Sequence, residues 1–133
     1  MAVIDRQKIV KVALERLHRP YSFGAKWPLN NMNPQGPIDC SGFVRWCYWR
    51  GGLTIPDGSS AQFDATVATD NPIPGDLGFF RNEQGIHHVG IYNSSDVIEA
   101  RGEPYNQVIL RPSTKWEAWP EFTGWRRLKE VEN

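Results

Sequence analysis

Asp39-Cys40-Ser41-Gly42-Phe43-Val44-Arg45-Trp46-Cys47-Tyr48-Trp49-Arg50-Gly51-Gly52 is the stretch on which the reading of the fold turns. Cys40, Phe43, Val44, Cys47 and Tyr48 recur at i, i+3, i+4, i+7 and i+8, the spacing of one helix face. That spacing predicts a helix over 39–50, with Gly51-Gly52 as its stop. Upstream, Ile9, Val10, Ala13, Leu14 and Leu17 share a face while Lys8, Lys11 and Glu15 lie elsewhere, which predicts an amphipathic helix over 5–17. Asp5 is its N-cap, and Arg19-Pro20 ends it, because a residue before proline disfavours the helical region. Between the two helices, residues 21–38 read as a long irregular stretch rich in Gly, Pro and Asn, the kind of loop that is usually functional or mobile.

Downstream the period changes. A short helix is expected over 60–67, then Pro74-Gly75-Asp76 marks a turn, with Asp76 as a turn residue. Short β-rich runs follow at 77–80, 87–92, 97–100 and 107–110, separated by Asn, Gly and Ser clusters, and 124–128 adds a last strand. Helices first and an antiparallel meander second indicate an α+β fold, one domain over residues 1–133.

Composition narrows the function. The 133 residues can bury a core without metals or disulfides, and a hydrophobic share of 40% excludes a disordered chain. Lys+Arg and Asp+Glu are both 15, so no broad cationic surface is expected for nucleic acid or anionic membrane. No run is long and apolar enough for stable membrane insertion. The start, MAVIDRQKIVKVALERL, lacks the uninterrupted apolar stretch of a signal peptide, so the expectation is a protein made in the cytoplasm without its own export signal. Cys40 and Cys47, seven residues apart on one helix, are separated by about 10 Å, beyond the roughly 7 Å between Cα atoms that a disulfide spans. Two free thiols with different jobs are expected. There is no CxxC and no His pair at ligand spacing, so neither a zinc site nor any cofactor is anticipated.

Cys40 stands where the second helix begins. A thiol there meets the positive end of the helix dipole and unpaired backbone N–H groups, and both favour the reactive thiolate. The same N–H groups can hold an oxyanion when a carbonyl is attacked. Cys47, deeper on the same helix, reads as a packing residue. An imidazole is the usual partner of such a nucleophile. His18 ends the first helix and reads as solvated. His87 and His88 point to opposite faces of one strand, and alternation alone leaves open which of them meets Cys40. Glu99, between Ile98 and Ala100, either orients the imidazole or points to solvent. Arg101 is either an exposed arginine or a cation for a substrate carboxylate. Trp116, Trp119 and Trp125 form either a core edge or an aromatic wall.

Four segments in order carry a resemblance: Arg19-Pro20-Tyr21-Ser22-Phe23-Gly24, Asp39-Cys40-Ser41-Gly42-Phe43-Val44, Pro74-Gly75-Asp76-Leu77-Gly78-Phe79-Phe80 and His88-Val89-Gly90-Ile91-Tyr92. Together they resemble the NlpC/P60 cysteine peptidases, over about residues 8–111. The resemblance implies a papain-like α+β core with the nucleophile helix packed on an antiparallel sheet. It implies Cys40 as nucleophile and His88, not His87, as base, with peptidoglycan stem peptides as substrate. It also implies substrate contacts from Tyr21, Asp39 and Ser41, and Tyr21 could also support the oxyanion. Many members carry histidine where this chain has Glu99, and related CHAP-type lysins carry glutamate there. The expected activity is an endopeptidase acting as a monomer on the cell wall, delivered by a phage or a secretion route. An N-acetylmuramoyl-L-alanine amidase of the same fold and a non-catalytic wall-binding module are the alternatives, and acyl transfer to a lipid is a more distant one.

Overall fold

The computed structural model describes residues 2–25, 36–129 and 131–132. In chain order the elements are β1 (Ala2–Val3), α1 (Arg6–Leu14), α2 (Cys40–Arg50), α3 (Ser59–Asp64), β2 (Thr66–Ala68), β3 (Leu77–Asn82), β4 (Gly85–Asn93), β5 (Asp96–Arg101), β6 (Gln107–Pro112), α4 (Ser113–Ala118), β7 (Phe122–Leu128) and β8 (Val131–Glu132). The fold is α+β. A six-stranded antiparallel sheet runs β2-β7-β3-β4-β5-β6, so the expected meander is its run of four strands from β3 to β6 and the last long strand inserts between β2 and β3. β1 and β8 form a separate parallel pair.

Both long helices begin as their sequences dictate. Asp5 accepts from Lys8 N at 3.0 Å and Asp39 accepts from Gly42 N at 2.7 Å, each satisfying an amide that has no partner within its helix. α1 is shorter than its apolar pattern. Past Leu14 the backbone tightens into i→i−3 bonds at Arg16 and Leu17, and His18 turns left-handed at φ 74. That turn lets His18 N donate to Val108 O at 2.8 Å, so the chain joins the edge strand β6 before Pro20. The predicted third helix also ends early. Thr66 and Val67 are β-branched and pair with Leu128 and Arg127 as edge strand β2. The loop expected over 21–38 is pinned at both ends, by bridges Pro20↔Gln107 and Tyr21↔Ile38; its middle, residues 26–35, lies outside the described residues.

Both faces of the sheet are covered. α1 packs on α2, and α2 packs on β4 and β5. Their shared core holds Ile9, Val12, Phe43, Val44, Cys47, Phe79, Val89, Ile91 and Ile98. The other face buries Phe80, Val97, Trp116 and Trp125. Trp116 comes from α4, a helix that periodicity did not reveal because six residues are too few to show a face. Its ring lies directly on the strands. A Cβ at Gly90 would come within 2.8 Å of it, and one at Gly78 would meet Trp125 at 2.6 Å. These two strand glycines therefore mark a close approach rather than a weak strand.

Asp76 is not merely a turn residue. It is fully buried and accepts from Arg6 at 2.9 Å, from Arg127 at 3.0 and 2.8 Å, and from Ile73 N at 2.9 Å. Tyr48 donates to Gly75 O beside it. One carboxylate thus joins α1, the turn before β3 and β7, and the neighbouring carbonyl joins α2. Removing a buried acceptor from charged donors costs about 3–5 kcal/mol when the donors stay dry. Here both arginines can turn partly to water. Asp76→Ala should therefore lower the unfolding free energy by about 2–3 kcal/mol in a urea titration. A midpoint equal to wild type would contradict this account.

Candidate active site

Cys40 is the first residue of α2, so its position follows from the Asp39 cap. His88 and Glu99 come from neighbouring strands whose ladder is short. β4 and β5 pair only through Ile91↔Ile98, Tyr92↔Val97 and Asn93↔Asp96. Beyond that point His88 and Glu99 meet through their side chains, Nε2 to Oε1 at 2.8 Å. Cys40 lies beside His88, near enough to act on its imidazole. With Nε2 engaged by the carboxylate, Nδ1 is the nitrogen left to serve the thiol.

The two histidines are separated by a bulge. Phe80 pairs with His88 and Arg81 pairs with Ile86, which leaves His87 as the extra residue of β4. His87 turns outward to Glu121 at 2.8 Å, while His88 is buried. Simple alternation could not decide between them for a physical reason. Val89 and Ile91 pack under α2, yet the histidine that reaches Cys40 shares its side with Gly90 and Trp116. Contact with α2 occurs past the end of the β4–β5 ladder, where strand faces no longer dictate neighbours. His18 is exposed and pairs with Gln107 at 3.0 Å.

Glu99 does not point to solvent. It is fully buried, and its other oxygen accepts from Trp116 Nε1 at 2.7 Å. Arg101 donates to Oε1 at 3.1 Å, so it is engaged with Glu99 rather than held out toward solvent. Burial opposes the charge on Glu99, but the hydrogen bond and positive charge of His88, the Trp116 donor and Arg101 outweigh it and hold the carboxyl below its ordinary range. Burial likewise opposes charge on His88. Its hydrogen bonds to Cys40 and Glu99 and their negative charges win, raising the imidazole from 6.5 to about 9. The arrangement keeps His88 protonated at neutral pH beside the Cys40 sulfur.

The remaining expected site residues also sit at the start of α2. Asp39 is buried; its side chain caps Gly42 N, and its carbonyl accepts from Phe43 N at 3.0 Å. Two of the first amides of α2 are therefore already used, which narrows the expected oxyanion donors. The Cys40 N–H carries no hydrogen bond among the described residues. Ser41 is buried, with its hydroxyl 3.5 Å from Asp39 and its carbonyl accepting from Gln62 at 3.0 Å. Tyr21 is half-buried and packs beside Gly102 at the end of β5. Burial raises its phenol, with the charges of Cys40 and Asp39 adding to the effect, so it stays a hydrogen-bond donor. Among the described residues, no group of three His, Cys, Asp or Glu is placed to hold a metal ion.

Sequence reasoning missed Trp116 as a partner of Glu99. The available signals were Gly78 and Gly90, strand glycines that announce a close neighbour. It also missed Arg101, although i and i+2 on a strand share a face.

Residues 18–123 match the model of the NlpC/P60 family. The chain is 38% identical over 105 residues to a probable endopeptidase p60 of Listeria seeligeri, covering 75% of this chain and 19% of that protein. It is 34% identical over 91 residues to the bifunctional muramidase/DL-endopeptidase CwlT of Bacillus subtilis, covering 65% of this chain and 26% of that protein. It thus spans about a fifth to a quarter of the length of these relatives. Among solved structures, the NlpC/p60 domain of the peptidoglycan hydrolase SagA superposes with a TM-score of 0.69 at 29% identity, covering 90% of this chain and 97% of that one.

The two thiols should differ sharply. Cys40 is 9% exposed, whereas Cys47 is 0% exposed and burial pushes its thiol far up. Native protein treated with iodoacetamide should be modified at Cys40 alone, with Cys47 reacting only after denaturation, as read by peptide mass spectrometry. Equal labelling of both in the folded protein would contradict the difference between a thiol at the helix start and one sealed inside the core.

Proposed function

Because the chain belongs to the NlpC/P60 family, we propose that it is a peptidoglycan hydrolase that cuts amide bonds of cell-wall stem peptides as a cysteine endopeptidase. The observation that carries this reading is the relay from Cys40 through His88 to a buried, ionised Glu99. The names of relatives agree with it: probable endopeptidase p60, DL-endopeptidase and peptidoglycan hydrolase.

The Cys40 thiolate attacks the amide carbon and forms a C–S bond. The carbonyl oxygen takes the negative charge, with the Cys40 N–H and the Tyr21 hydroxyl as donors. As the C–N bond breaks, the His88 imidazolium gives its proton to the leaving amine. A thioester remains. Water then attacks it while neutral His88 accepts the water proton, and the acid is released with Cys40 restored. Glu99 keeps the imidazole in one orientation and stabilises its charged form throughout. Asp39 and Ser41, which flank the nucleophile, contact a polar group of the stem peptide in this reading. Its site of action is the wall, reached as a monomer through phage or secretion-system delivery.

Purified peptidoglycan digested by wild type should yield new stem-peptide amines, identified by mass spectrometry, and Cys40→Ala should yield none. A freed lactyl carboxylate on muramic acid would assign the amidase reaction instead. No release from several wall chemistries by folded wild type would overturn the hydrolase reading.

The pH profile follows from His88. Its proton, which the leaving amine needs, is held until pH rises through about 9, so kcat/KM should fall above that value. Glu99→Gln removes a negative charge that favours imidazolium. The alkaline limb should then move to lower pH, and kcat/KM at neutral pH should drop by roughly 10²-fold. An unmoved limb would mean that Glu99 does not govern His88.

A further inference from the structure

Glu99 Oε1 has two donors, His88 Nε2 at 2.8 Å and Arg101 Nη1 at 3.1 Å, while Oε2 has Trp116 Nε1 at 2.7 Å. Neither Arg101 nor Trp116 is loosely held. The Arg101 guanidinium lies 5.9 Å from the Phe80 ring centroid and 6.0 Å from that of Trp119. Trp116 is fully buried, 4.2 Å from the Phe80 centroid and wedged over Gly90. A carboxylate fixed at one oxygen can still rotate, but one gripped at both oxygens by rigid partners cannot.

We propose that Arg101 and Trp116 are positioning residues for the reaction: Trp116 sets the plane of the Glu99 carboxylate so that Oε1 meets His88, and Arg101 shares that oxygen as a fixed counter-cation. This rests on the reading of Cys40, His88 and Glu99 as the reacting set. It replaces the sequence expectation that Arg101 is an exposed residue or receives a substrate carboxylate. Arg101 keeps Glu99 ionised, yet its own positive charge opposes the imidazolium. It therefore limits how far the proton of His88 is held into the alkaline range. The groups facing His88 are Cys40 from α2 and Glu99 from β5, with Arg101 held on the same Glu99 oxygen; β3 and α4 face it with the neutral rings of Phe80 and Trp116. Tyr21 and Asp39 lie on the Cys40 side.

The sign separates this role from plain structural support. Losing Glu99 should lower the pH at which His88 titrates, whereas losing Arg101 should raise it. The test is NMR titration of the His88 Cε1–H signal, assigned by its absence in His88→Gln, with circular dichroism to verify folding. Arg101→Gln should raise the midpoint by about one pH unit, and Arg101→Lys, which keeps the charge, should restore it toward wild type. Trp116→Phe, which keeps a ring and removes the donor, should raise the midpoint by less, because a carboxylate that loses a donor attracts the imidazole proton more strongly. In peptidoglycan cleavage both Arg101→Gln and Trp116→Phe should lower kcat while leaving KM near wild type.

A wild-type midpoint in folded Arg101→Gln, or a midpoint lowered as in Glu99→Gln, would overturn the role of Arg101. An unchanged midpoint in folded Trp116→Phe would remove Trp116 from the proposal. If wild type cuts no peptidoglycan, the hydrolase reading fails, while the titration still decides whether these two residues govern His88.

Discussion

A carboxylate removed from water must be met by donors, and the surroundings of Glu99 are built around that requirement. An unpaired buried carboxylate would protonate rather than stay charged. Glu99 stays charged because a guanidinium, an imidazole and an indole N–H converge on it. Each donor needs its own support. Trp116 reaches the site only because α4 follows β6 directly and because positions 78 and 90 lack side chains. His88 is aimed by the bulge at His87, which separates it from a neighbour that turns to the surface. The short β4–β5 ladder then leaves room at its end for Cys40.

The start of α2 supplies the other half of the site through one side chain. Asp39 accepts from Gly42 N and fixes the turn into the helix, which places Cys40 as the first helical residue. The cap takes up the third amide, and the Asp39 carbonyl takes up the fourth. The Cys40 N–H is left beside its own sulfur, where an attacked carbonyl would carry its oxygen. Capping thus uses the third and fourth amides of the turn and leaves the Cys40 N–H outside the cap.

Much of this was legible in the sequence where local rules govern. The Asp5 cap, the glycine stop after Arg50 and the four meander strands follow from residue type and period. The fourfold motif order also named Cys40 and His88, and the structure brings them together. What stayed hidden depends on contacts distant in sequence. Leu14 through Leu17 keep a helical pattern, but bonding of His18 to β6 ends α1 first. Thr66 and Val67 extend a helical run until β7, some sixty residues later, offers them a partner. Arg101 and Trp116 look like surface and packing residues until Glu99 is seen to be buried between them.

Asp76 shows why Glu99 can serve chemistry while another buried carboxylate serves only the fold. Both are fully buried, and both meet arginine. Asp76 is bound by two arginines and a backbone N–H, none of which changes charge in the working range. It therefore acts as a static joint between α1, β7 and the turn before β3. Glu99 has one arginine, one indole and one histidine. The histidine is the only member that can gain or lose a proton, and it is the member that touches Cys40. A second arginine in its place would hold the carboxylate at least as well but could carry no proton to a leaving amine. The difference between a structural ion pair and a reactive one here is a single titratable donor, facing a thiol at a helix start.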